Sequence, residues 1–395
     1  MSFSSLGLSA ALLRAIAERA YTAATPIQAA AIPAVLRGGD VWASAQTGSG
    51  KTAAFALPLL QLLAGTPRER GRFVRALVLV PTRELAAQVG DAFRDYGRYL
   101  PAPPLKTLVV YGGVSINPQM IALGGGADIM VATPGRLLDL IAHHAVSLSA
   151  VATLVLDEAD RLFALGFADE LTRIFALLPT RRQTLFFSAT FPPAVWQLAE
   201  SLLREPTRIE IPTAPADAPD ITQRAIEVDA PQRTQLLRNL IALHAWTRVL
   251  VFVATKYATE HVAEKLRRAG IEAAALHGEL SQGARTAALA EFKASRIRVL
   301  VATDVAARGL DIAEDQVGAL VRRESTREPD GERLRVEQCA GAHELRGLKL
   351  SAGKCAARFS AYQAHERVLE TRVRKPECFV IKREHLFPEG RIAGV

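Results

Sequence analysis

Short apolar runs recur along the chain and alternate with stretches of helical periodicity. In the first half the apolar runs occupy residues 41–45, 74–80, 107–111, 128–132, 153–156 and 184–187. None of these runs alternates apolar with polar positions, which is typical of strands that are buried on both faces of a sheet. Helical patterns lie between them, for example over 52–63 and 83–96. This order predicts an α/β domain in which helices cover a parallel sheet.

The same alternation starts again in the second half of the chain. Apolar runs at 248–253, 271–276 and 298–302 are separated by helical patterns at 258–269 and 282–292. Between the two halves, residues 211–220 contain three prolines and no helical period, which predicts an interdomain linker. The predicted organisation is a first α/β domain over 1–208, a linker over 209–222, a second α/β domain over 223–345 and a basic tail over 346–395.

Composition excludes several classes of protein. Of 395 residues, 49% are hydrophobic and 22% are charged, which rules out a disordered chain. No apolar run approaches the ~18 residues of a membrane helix, and the N-terminal sequence lacks the pattern of a signal peptide. Three cysteines cannot form a disulfide framework, and no group of His and Cys has the spacing of zinc ligands. We therefore expect a cytoplasmic monomer that does not associate with membranes.

Residues 45–52, AQTGSGKT, follow the first apolar run directly and precede a helical pattern. This is the layout of a P-loop with Ala45 in the first glycine position, in which backbone amides and a helix N-terminus bind phosphate. Lys51 is predicted to reach the β- and γ-phosphates, and the Thr52 hydroxyl to bind Mg²⁺. The predicted nucleotide-binding residues of the loop are Ala45, Gln46, Thr47, Gly48, Ser49, Gly50, Lys51 and Thr52.

The second chemical motif is Asp157-Glu158-Ala159-Asp160, which follows the apolar run 153–156. An acidic cluster at the end of a strand is usually a solvated turn. Beside a P-loop, however, the first carboxylate can hold Mg²⁺ and the next can orient the attacking water. We therefore predict Lys51, Asp157 and Glu158 as catalytic residues, with Asp157 and Thr52 as the metal ligands.

With TPIQ at residues 25–28 and SAT at residues 188–190, these motifs resemble the DEAD-box family of ATP-dependent RNA helicases, of the bacterial type. The resemblance covers about residues 3–312. It implies two tandem RecA-like domains joined by a short linker, with ATP and Mg²⁺ as cofactors and RNA as the partner. One departure lies in the adenine-reading segment, where Ala20 replaces the usual glycine before Tyr21.

The resemblance also implies roles for single residues around the nucleotide. Gln28 would hydrogen-bond the adenine edge, Phe3 would stack on the ring, and Asp311 would contact the ribose. The pair Ser188 and Thr190 would couple hydrolysis to strand separation. Arg308 would support the closed interface between the domains.

Further motifs are similar to the family's RNA contacts: PTRE, GG and TPGR in the first half, and FVATK, HG and ATDVAARGLD in the second. The residues implied to touch RNA are Pro81, Thr82, Arg83, Gly112, Gly113, Thr133, Gly135, Arg136, Gly278, Gln282, Arg285 and Thr303. Such residue types contact phosphate and sugar and carry no base information. Only 6% of residues are aromatic, which argues against a base-stacking platform. We therefore predict binding to the RNA backbone that is independent of base sequence.

After residue 312 the resemblance ends. The family expects an arginine-rich segment, typically HRIGRTGR, whose second and third arginines approach the γ-phosphate. Counting the usual spacing from Asp311 leads to residues 332–339, ERLRVEQC. In this register Arg333 takes the first arginine position, while the two arginine-finger positions are Val336 and Cys339. The second domain is therefore predicted to be incomplete or divergent at its C-terminal end.

Composition changes at the same place. From residue 318 onwards 27 of 78 residues are charged, 16 of them Lys or Arg, against 61 charged residues among the first 317. The basic excess fits a polyanionic partner or a solvated tail. Apolar runs are reduced to residues 319–321 and 378–381. A change of reading frame, a joined foreign segment and true divergence all explain this tail.

Three functions fit the sequence. The first is an active RNA-stimulated ATPase and helicase, the second an ATP- and RNA-binding clamp with little hydrolysis, and the third a damaged gene product with an incomplete second domain. A DNA-directed relative is a further alternative. We favour the helicase, with turnover impaired by loss of the arginine fingers, because the DEAD, TPIQ and SAT motifs occur together.

Overall fold

The computed structural model describes residues 1–46, 48–66, 71–211, 221–228, 230–303, 306, 317–322 and 377–384. The chain divides into two compact units, Met1–Ala218 and Pro219–Val395, which we describe one at a time. Within the described residues, no helix combines the length and the apolar character that crossing a bilayer requires.

The first unit contains a seven-stranded sheet in the order β3-β4-β2-β5-β6-β1-β7. Its strands are β1 (Val41–Ser44), β2 (Val74–Leu79), β3 (Thr107–Val110), β4 (Ala127–Ala132), β5 (Thr153–Leu156), β6 (Gln183–Ser188) and β7 (Thr207–Glu210). All neighbouring strands are parallel. Strands β1 to β6 coincide with the six predicted apolar runs. Strand β7 was not predicted, because Ile209 is its one buried side chain.

Nine helices belong to the described part of this unit. They are α1 (Ala10–Glu18), α2 (Pro26–Leu36), α3 (Lys51–Ala64), α4 (Arg83–Tyr96), α5 (Asn117–Ala122), α6 (Pro134–Ala142), α7 (Ala159–Ala164), α8 (Ala168–Ala176) and α9 (Pro193–Leu202). The sheet has a separate apolar core on each face. Phe55, Phe93 and Phe187 belong to one core, and Phe186 belongs to the other. Adjacent residues of β6 thus serve opposite faces, as the uninterrupted apolar runs predict.

The second unit contains a six-stranded sheet in the order β10-β11-β9-β12-β13-β8. Its strands are β8 (Ile221–Val228), β9 (Arg248–Val253), β10 (Ala273–Leu276), β11 (Val299–Thr303), β12 (Val317–Arg322) and β13 (Glu377–Glu384). Its helices in the described residues are α10 (Arg233–Leu243), α11 (Lys256–Arg268) and α12 (Gln282–Lys293). Strands β10, β11, β9 and β12 are parallel.

Strand β13 differs from this parallel arrangement because it runs antiparallel to both of its neighbours. It lies between β12 and β8, with Leu320 opposite Ile381 and Ala225 opposite Val380. The two short apolar runs of the tail, 319–321 and 378–381, are therefore adjacent strands of one sheet.

The expected linker over 209–222 is shorter in the structure. Its first two residues belong to β7, where Ile209 is paired with Ala43 of β1. Its last two residues, 221–222, belong to β8. The apolar patterns do not reveal these ends, because β7 is mostly exposed. Residues 212–220 of the proline-rich segment lie outside the described residues.

Candidate nucleotide-binding site and nucleic-acid interface

The strand order of the first sheet divides the predicted motifs into two groups. Strands β5, β6 and β1 are neighbours, and their carboxyl ends carry residues 157–160, 188–190 and 45–52. Strands β3, β4 and β2 are also neighbours, and they lead into 112–113 and two further predicted RNA motifs. We call the first group the nucleotide half of the sheet edge and the second group the RNA half. Ligands of open α/β sheets bind at this edge.

The phosphate loop connects β1 to α3 and touches the segment that was predicted to read adenine. Gly50 has a left-handed φ of 91°, and a Cβ there would overlap the side-chain amide of Gln28. Gln28 is buried; its Nε2 donates to the Gly50 carbonyl (3.2 Å), and its Oε1 accepts from the backbone N–H of Thr25 (3.0 Å). Glycine at position 50 therefore allows direct contact between the two motifs.

Lys51 lies at the start of α3 and is only 6% exposed. Its Nζ donates to the carbonyls of Ala45 (2.7 Å) and Gln46 (3.2 Å), so the lysine side chain is hydrogen-bonded to the first two residues of the loop. Burial lowers the pKa of Lys51, while the nearby charges of Asp157 and Glu158 act in the opposite direction. A phosphate in the loop would offer this ammonium a charged acceptor in place of two neutral carbonyls.

The two predicted catalytic carboxylates are both buried at the end of β5. Asp157 Oδ1 accepts from the backbone N–H of Glu158 (3.0 Å), and burial raises the pKa of Asp157 against the opposing effect of Lys51. Burial also raises the pKa of Glu158 to about 7, although Arg161 lies 3.2 Å from its Oε2 and acts against the rise. Glu158 itself has a left-handed backbone, with φ 51°. Two carboxylates with raised pKa values favour a cation or a proton nearby.

The donor set fits a magnesium ion that is bound together with a nucleotide. Mg²⁺ usually takes one or two carboxylates with the remaining oxygens supplied by phosphates and water. Asp157 and the Thr52 hydroxyl would provide such protein oxygens. Among the described residues, no group of three or more His, Cys, Asp or Glu side chains could hold a metal by itself. Metal binding here would thus depend on the phosphates.

A closed hydrogen-bond network ties the ends of β5 and β6 together. The Thr190 backbone N–H and hydroxyl both donate to Asp160 Oδ2 (3.1 and 2.7 Å). The Asp160 N–H donates to Ser188 Oγ (3.2 Å), which in turn donates to the Thr190 carbonyl (2.7 Å). The predicted coupling residues Ser188 and Thr190 are therefore bonded directly to the acidic motif. Arg308, the third predicted coupling residue, lies outside the described residues.

In the RNA half, two predicted RNA-contacting arginines brace the loop that follows β3. The guanidinium of Arg83 lies against Gly113, whose φ is 75° and where a Cβ would overlap it. Arg136 is largely buried, and its Nη2 donates to the carbonyl of Val114 (2.8 Å). The loop thus lies between side chains from α4 and α6, and its glycine backbone remains available to a ligand.

Threonines begin the two helices of the RNA half. Thr82 Oγ1 accepts from the N–H of Leu85 (3.2 Å), which caps α4 after Pro81. Thr133 begins α6, before Gly135, and its side chain makes no capping bond within the described structure. Both helix starts therefore present backbone amides at the sheet edge, an arrangement that suits phosphate oxygens.

The second unit repeats this construction at the carboxyl ends of β10, β11 and β9. Arg285 is only 5% exposed, and its Nη1 donates to the carbonyl of His277 (2.9 Å). His277 Nε2 lies 3.0 Å from Glu260 of α11, and Lys256 forms an ion pair with Glu279. Arg285 therefore holds the loop that contains Gly278, and its direct contact with RNA stays a prediction.

The remaining predicted residues have differing surroundings. Thr303 ends β11, and its Oγ1 accepts from the N–H of Ala306 (3.4 Å), while Gln282 begins α12. Phe3 is 5% exposed and packs in the core of the first unit, so its stacking on adenine stays a prediction. Thr47 and Asp311, like Arg308, lie outside the described part of the chain, as do residues 332–339, where the arginine fingers were expected.

Sequence reasoning missed the residues that position the site. Arg161 pairs with Glu158, and Glu260 pairs with His277, yet the sequence motifs pointed to neither Arg161 nor Glu260. The pair Glu260 and His277 is separated by 17 residues and joins a helix to a loop, so only the fold brings them together. Arg161 directly follows the acidic motif, three residues after Glu158 and in the first turn of α7, and this short spacing was a signal that could have identified it.

Comparison with known proteins gives concordant matches. The family model for the DEAD/DEAH box helicase matches residues 25–198, and the model for the helicase conserved C-terminal domain matches residues 232–326. Over 311 residues the chain is 43% identical to the ATP-dependent RNA helicase DeaD of Mycobacterium tuberculosis (strain CDC 1551 / Oshkosh) and 41% identical to that of Escherichia coli (strain K12). These alignments cover 79% of this chain but 54% and 48% of the two relatives. The chain thus spans about half the length of the curated relatives it matches.

A solved structure is also similar. Saccharomyces cerevisiae Dbp5 bound to RNA and ADP BeF3 superposes with a TM-score of 0.66 at 30% sequence identity. The match covers 79% of this chain and 78% of that chain.

Proposed function

Because the chain belongs to the DEAD/DEAH box helicase family, we propose that it is an ATP-dependent RNA helicase with slow turnover. ATP hydrolysis would be stimulated by RNA and would drive local separation of RNA strands. The observation that carries the proposal is that Lys51, Asp157 and the Ser188–Thr190 turn all lie at or after the carboxyl ends of three neighbouring strands, β1, β5 and β6. These groups match a phosphate-binding, metal-holding and coupling role, respectively.

ATP would bind with its phosphates in the loop 45–52 and its adenine beside Gln28. Lys51 would exchange its two carbonyl partners for the β- and γ-phosphates. Bound Mg²⁺, held by Thr52 and Asp157, would supply charge neutralisation at these phosphates. Glu158 would orient the attacking water and accept its proton, a role that fits a carboxylate whose pKa burial raises to about 7.

RNA would bind through its backbone at the RNA half and at the matching loops of the second unit. The glycines at 112, 113 and 278 and the two helix starts offer amide and hydroxyl groups, which recognise phosphate and sugar rather than base edges. The likeness to a yeast protein that was solved with RNA supports RNA as the partner. Contacts to 2′-hydroxyls would favour RNA over DNA.

The hydrogen bonds between Asp160 and Thr190 support a coupling role for the turn after β6. Any shift of the acidic motif during hydrolysis would pull on both donors of Thr190, because they share one carboxylate oxygen. The turn would thus respond to the nucleotide state in the same unit.

A second candidate function is an ATP- and RNA-binding clamp with little hydrolysis. One observation favours it: by the family's spacing, Val336 and Cys339 stand where two arginines are expected. An arginine finger is worth roughly 10³–10⁵ in the rate of phosphoryl transfer, about 4–7 kcal/mol of barrier. Lys51 and the two carboxylates cannot replace it, since each has its own part in the reaction.

RNA-stimulated ATP hydrolysis by the purified full chain tests both candidates. We expect ATP and RNA to bind and the RNA-stimulated rate to be low but above that of the Glu158→Gln variant. A rate equal to that of Glu158→Gln would favour the clamp instead. Replacing residues 332–339 with HRIGRTGR should raise the RNA-stimulated rate by roughly 10³-fold or more. Fast turnover by the unmodified chain would refute the clamp, and Arg333 and Arg335 would then be mutated in search of a substitute finger. Failure to bind ATP would contradict both functions.

A further inference from the structure

The N-terminal segment of the chain is fastened to the rest of the first unit on both sides of Phe3. Phe3–Leu6 form a short 3-10 helix that ends at Gly7, and Ser9 precedes α1. On the first side, the Met1 carbonyl accepts from the N–H of Ala24 (2.9 Å), the residue before TPIQ. This bond joins the segment to the predicted adenine-reading motif.

Gln61 makes the attachment on the other side. Its Nε2 donates to the Gly7 carbonyl (2.8 Å), and its Oε1 accepts from the backbone N–H of Ser9 (2.7 Å). The side chain of Ser9 makes no capping bond at the start of α1. The side-chain amide of Gln61 thus pairs with both the N–H of Ser9 and the carbonyl of Gly7, which lie 52 and 54 residues before it in the sequence. Such a paired contact fixes both position and orientation of the turn.

Gln61 lies on the same helix that begins the phosphate loop. Helix α3 starts at Lys51, and Gln61 follows ten residues later, about 15 Å along the axis at ~1.5 Å per residue. Gln28 is bonded to the carbonyl of Gly50, at the first end of this helix. Both parts of the predicted adenine site, Gln28 and the segment that carries Phe3, are therefore attached to α3.

We propose that Gln61 is a positioning residue for adenine recognition, which holds the Phe3 segment in register with the phosphate loop. The inference rests on the proposed binding of ATP. The base and the triphosphate of ATP are covalently linked, so groups that contact the base must lie at a fixed place relative to the loop. Holding them there before binding lowers the entropy that is lost when ATP orders the site.

The test compares ATP with inorganic tripolyphosphate, which has no base, by calorimetry on the full chain with Mg²⁺. Gln61→Met keeps the length of the side chain and removes both hydrogen bonds. We expect it to weaken ATP binding roughly tenfold, as for one or two net hydrogen bonds, and to leave tripolyphosphate binding unchanged. Gln61→Glu keeps the acceptor for Ser9 and should give a smaller loss. Gln197→Met makes the same change on an exposed position of α9 and should affect neither ligand.

Combining Gln61→Met with Phe3→Ala separates positioning from general stability. If Gln61 acts through Phe3, the second substitution should add little once the first is present. Equal weakening of both ligands, no change in ATP binding, or full additivity with Phe3→Ala would each overturn the proposal. Absence of ATP binding by the unmodified chain would instead contradict the proposed function.

Discussion

The two halves of the first sheet edge use charge in opposite ways. In the nucleotide half, Lys51, Asp157 and Glu158 are all buried. Burial lowers the pKa of Lys51 and raises the pKa of both carboxyl groups, so that it favours the neutral form of each. In the RNA half, Arg83 and Arg136 lie against the loop after β3, and Arg136 donates to a backbone carbonyl of that loop. In the nucleotide half the charged groups thus lie close to one another, whereas in the RNA half the arginines contact the backbone of a loop.

This difference leads to different expectations for ligand binding at the two halves. A buried charged group gains most when an opposite charge replaces water or a neutral partner. A loop that is braced from both sides instead offers backbone groups at fixed positions and reads no bases. Substitutions that remove a charge should therefore affect ligand binding or stability mainly in the nucleotide half. Substitutions that change the geometry of the loop should affect ligand binding mainly in the RNA half.

Lys51→Ala should have the largest effect. It removes a charge-assisted contact with phosphate, so ATP affinity should fall by roughly 1.5–3 kcal/mol. Binding of labelled single-stranded RNA without nucleotide should not change. Calorimetry with ATP and fluorescence anisotropy with RNA measure the two effects. Lys106→Ala, whose Nζ contacts the carbonyls of Ala122 and Gly124, is the matched control. Unchanged ATP affinity would refute the P-loop assignment, and lost RNA binding would refute the division into halves.

Glu158→Gln should stabilise the first unit at high pH when nucleotide and Mg²⁺ are absent. Because the carboxyl pKa is raised from 4.5 to about 7 in the folded state, the folded protein favours the protonated form. The resulting loss of stability is absent below pH 4.5, grows as the pH rises towards 7 and is complete above it. The substitution should thus add about 1–3 kcal/mol at pH 8.5 and much less at pH 5.

Urea denaturation followed by tryptophan fluorescence measures this gain, since Trp42 and Trp196 report on the first unit. Asp139→Asn, an exposed carboxylate beside Arg136 in the RNA half, is the control and should change stability by less than about 0.5 kcal/mol. An equal gain for Glu158→Gln at both pH values would contradict the electrostatic account.

Gly113→Ala should have the smallest effect and act on RNA alone. The new methyl group would displace the guanidinium of Arg83, and the left-handed backbone at this position disfavours alanine. We expect RNA affinity to fall by about 1 kcal/mol, equally for RNAs of different base sequence, with ATP affinity unchanged. Gly112→Ala meets open space and should have little effect on RNA affinity. Equal losses for the two variants would show that Arg83 does not brace the loop.

Local patterns predicted those elements whose own residues decide their structure. Strands β1 to β6 and helix α4 follow from uninterrupted apolar runs and from periodicity. Strand β7 carries one buried residue, and the apolar part of β13 covers only residues 378–381, so neither shows its sheet partner in its own sequence. The position of β13 between β12 and β8 depends on pairing between residues that are 57 to 63 positions apart for β12 and 149 to 163 positions apart for β8, for which the sequence has no local signal.

The candidate site was predictable to a similar extent. The phosphate loop and the acidic motif are recognisable from the local sequence, because binding of phosphate and metal requires certain residue types at short spacing. Residues that hold a loop or a turn in place have no such local pattern. Arg136 contacts Val114, and Gln61 contacts Gly7 and Ser9, only because the fold brings them together. Motif comparison assigned Arg285 to RNA, while its burial and its bond to the His277 carbonyl depend on three-dimensional packing.

The antiparallel strand β13 has a consequence for synthesis of the chain on the ribosome. The first unit is continuous in sequence and can fold once residue 218 has emerged. The second sheet cannot be completed until residue 384 is available, since β13 separates β8 from β12. Until then β12 presents an unpaired edge and β8 has no strand partner, and both can pair with other nascent chains. Pairing β13 with β8 also joins residues that are about 150 positions apart in sequence, and contacts of such long range slow folding. Variants that are shortened between β12 and β13, within residues 323–376, should therefore give more soluble protein during expression.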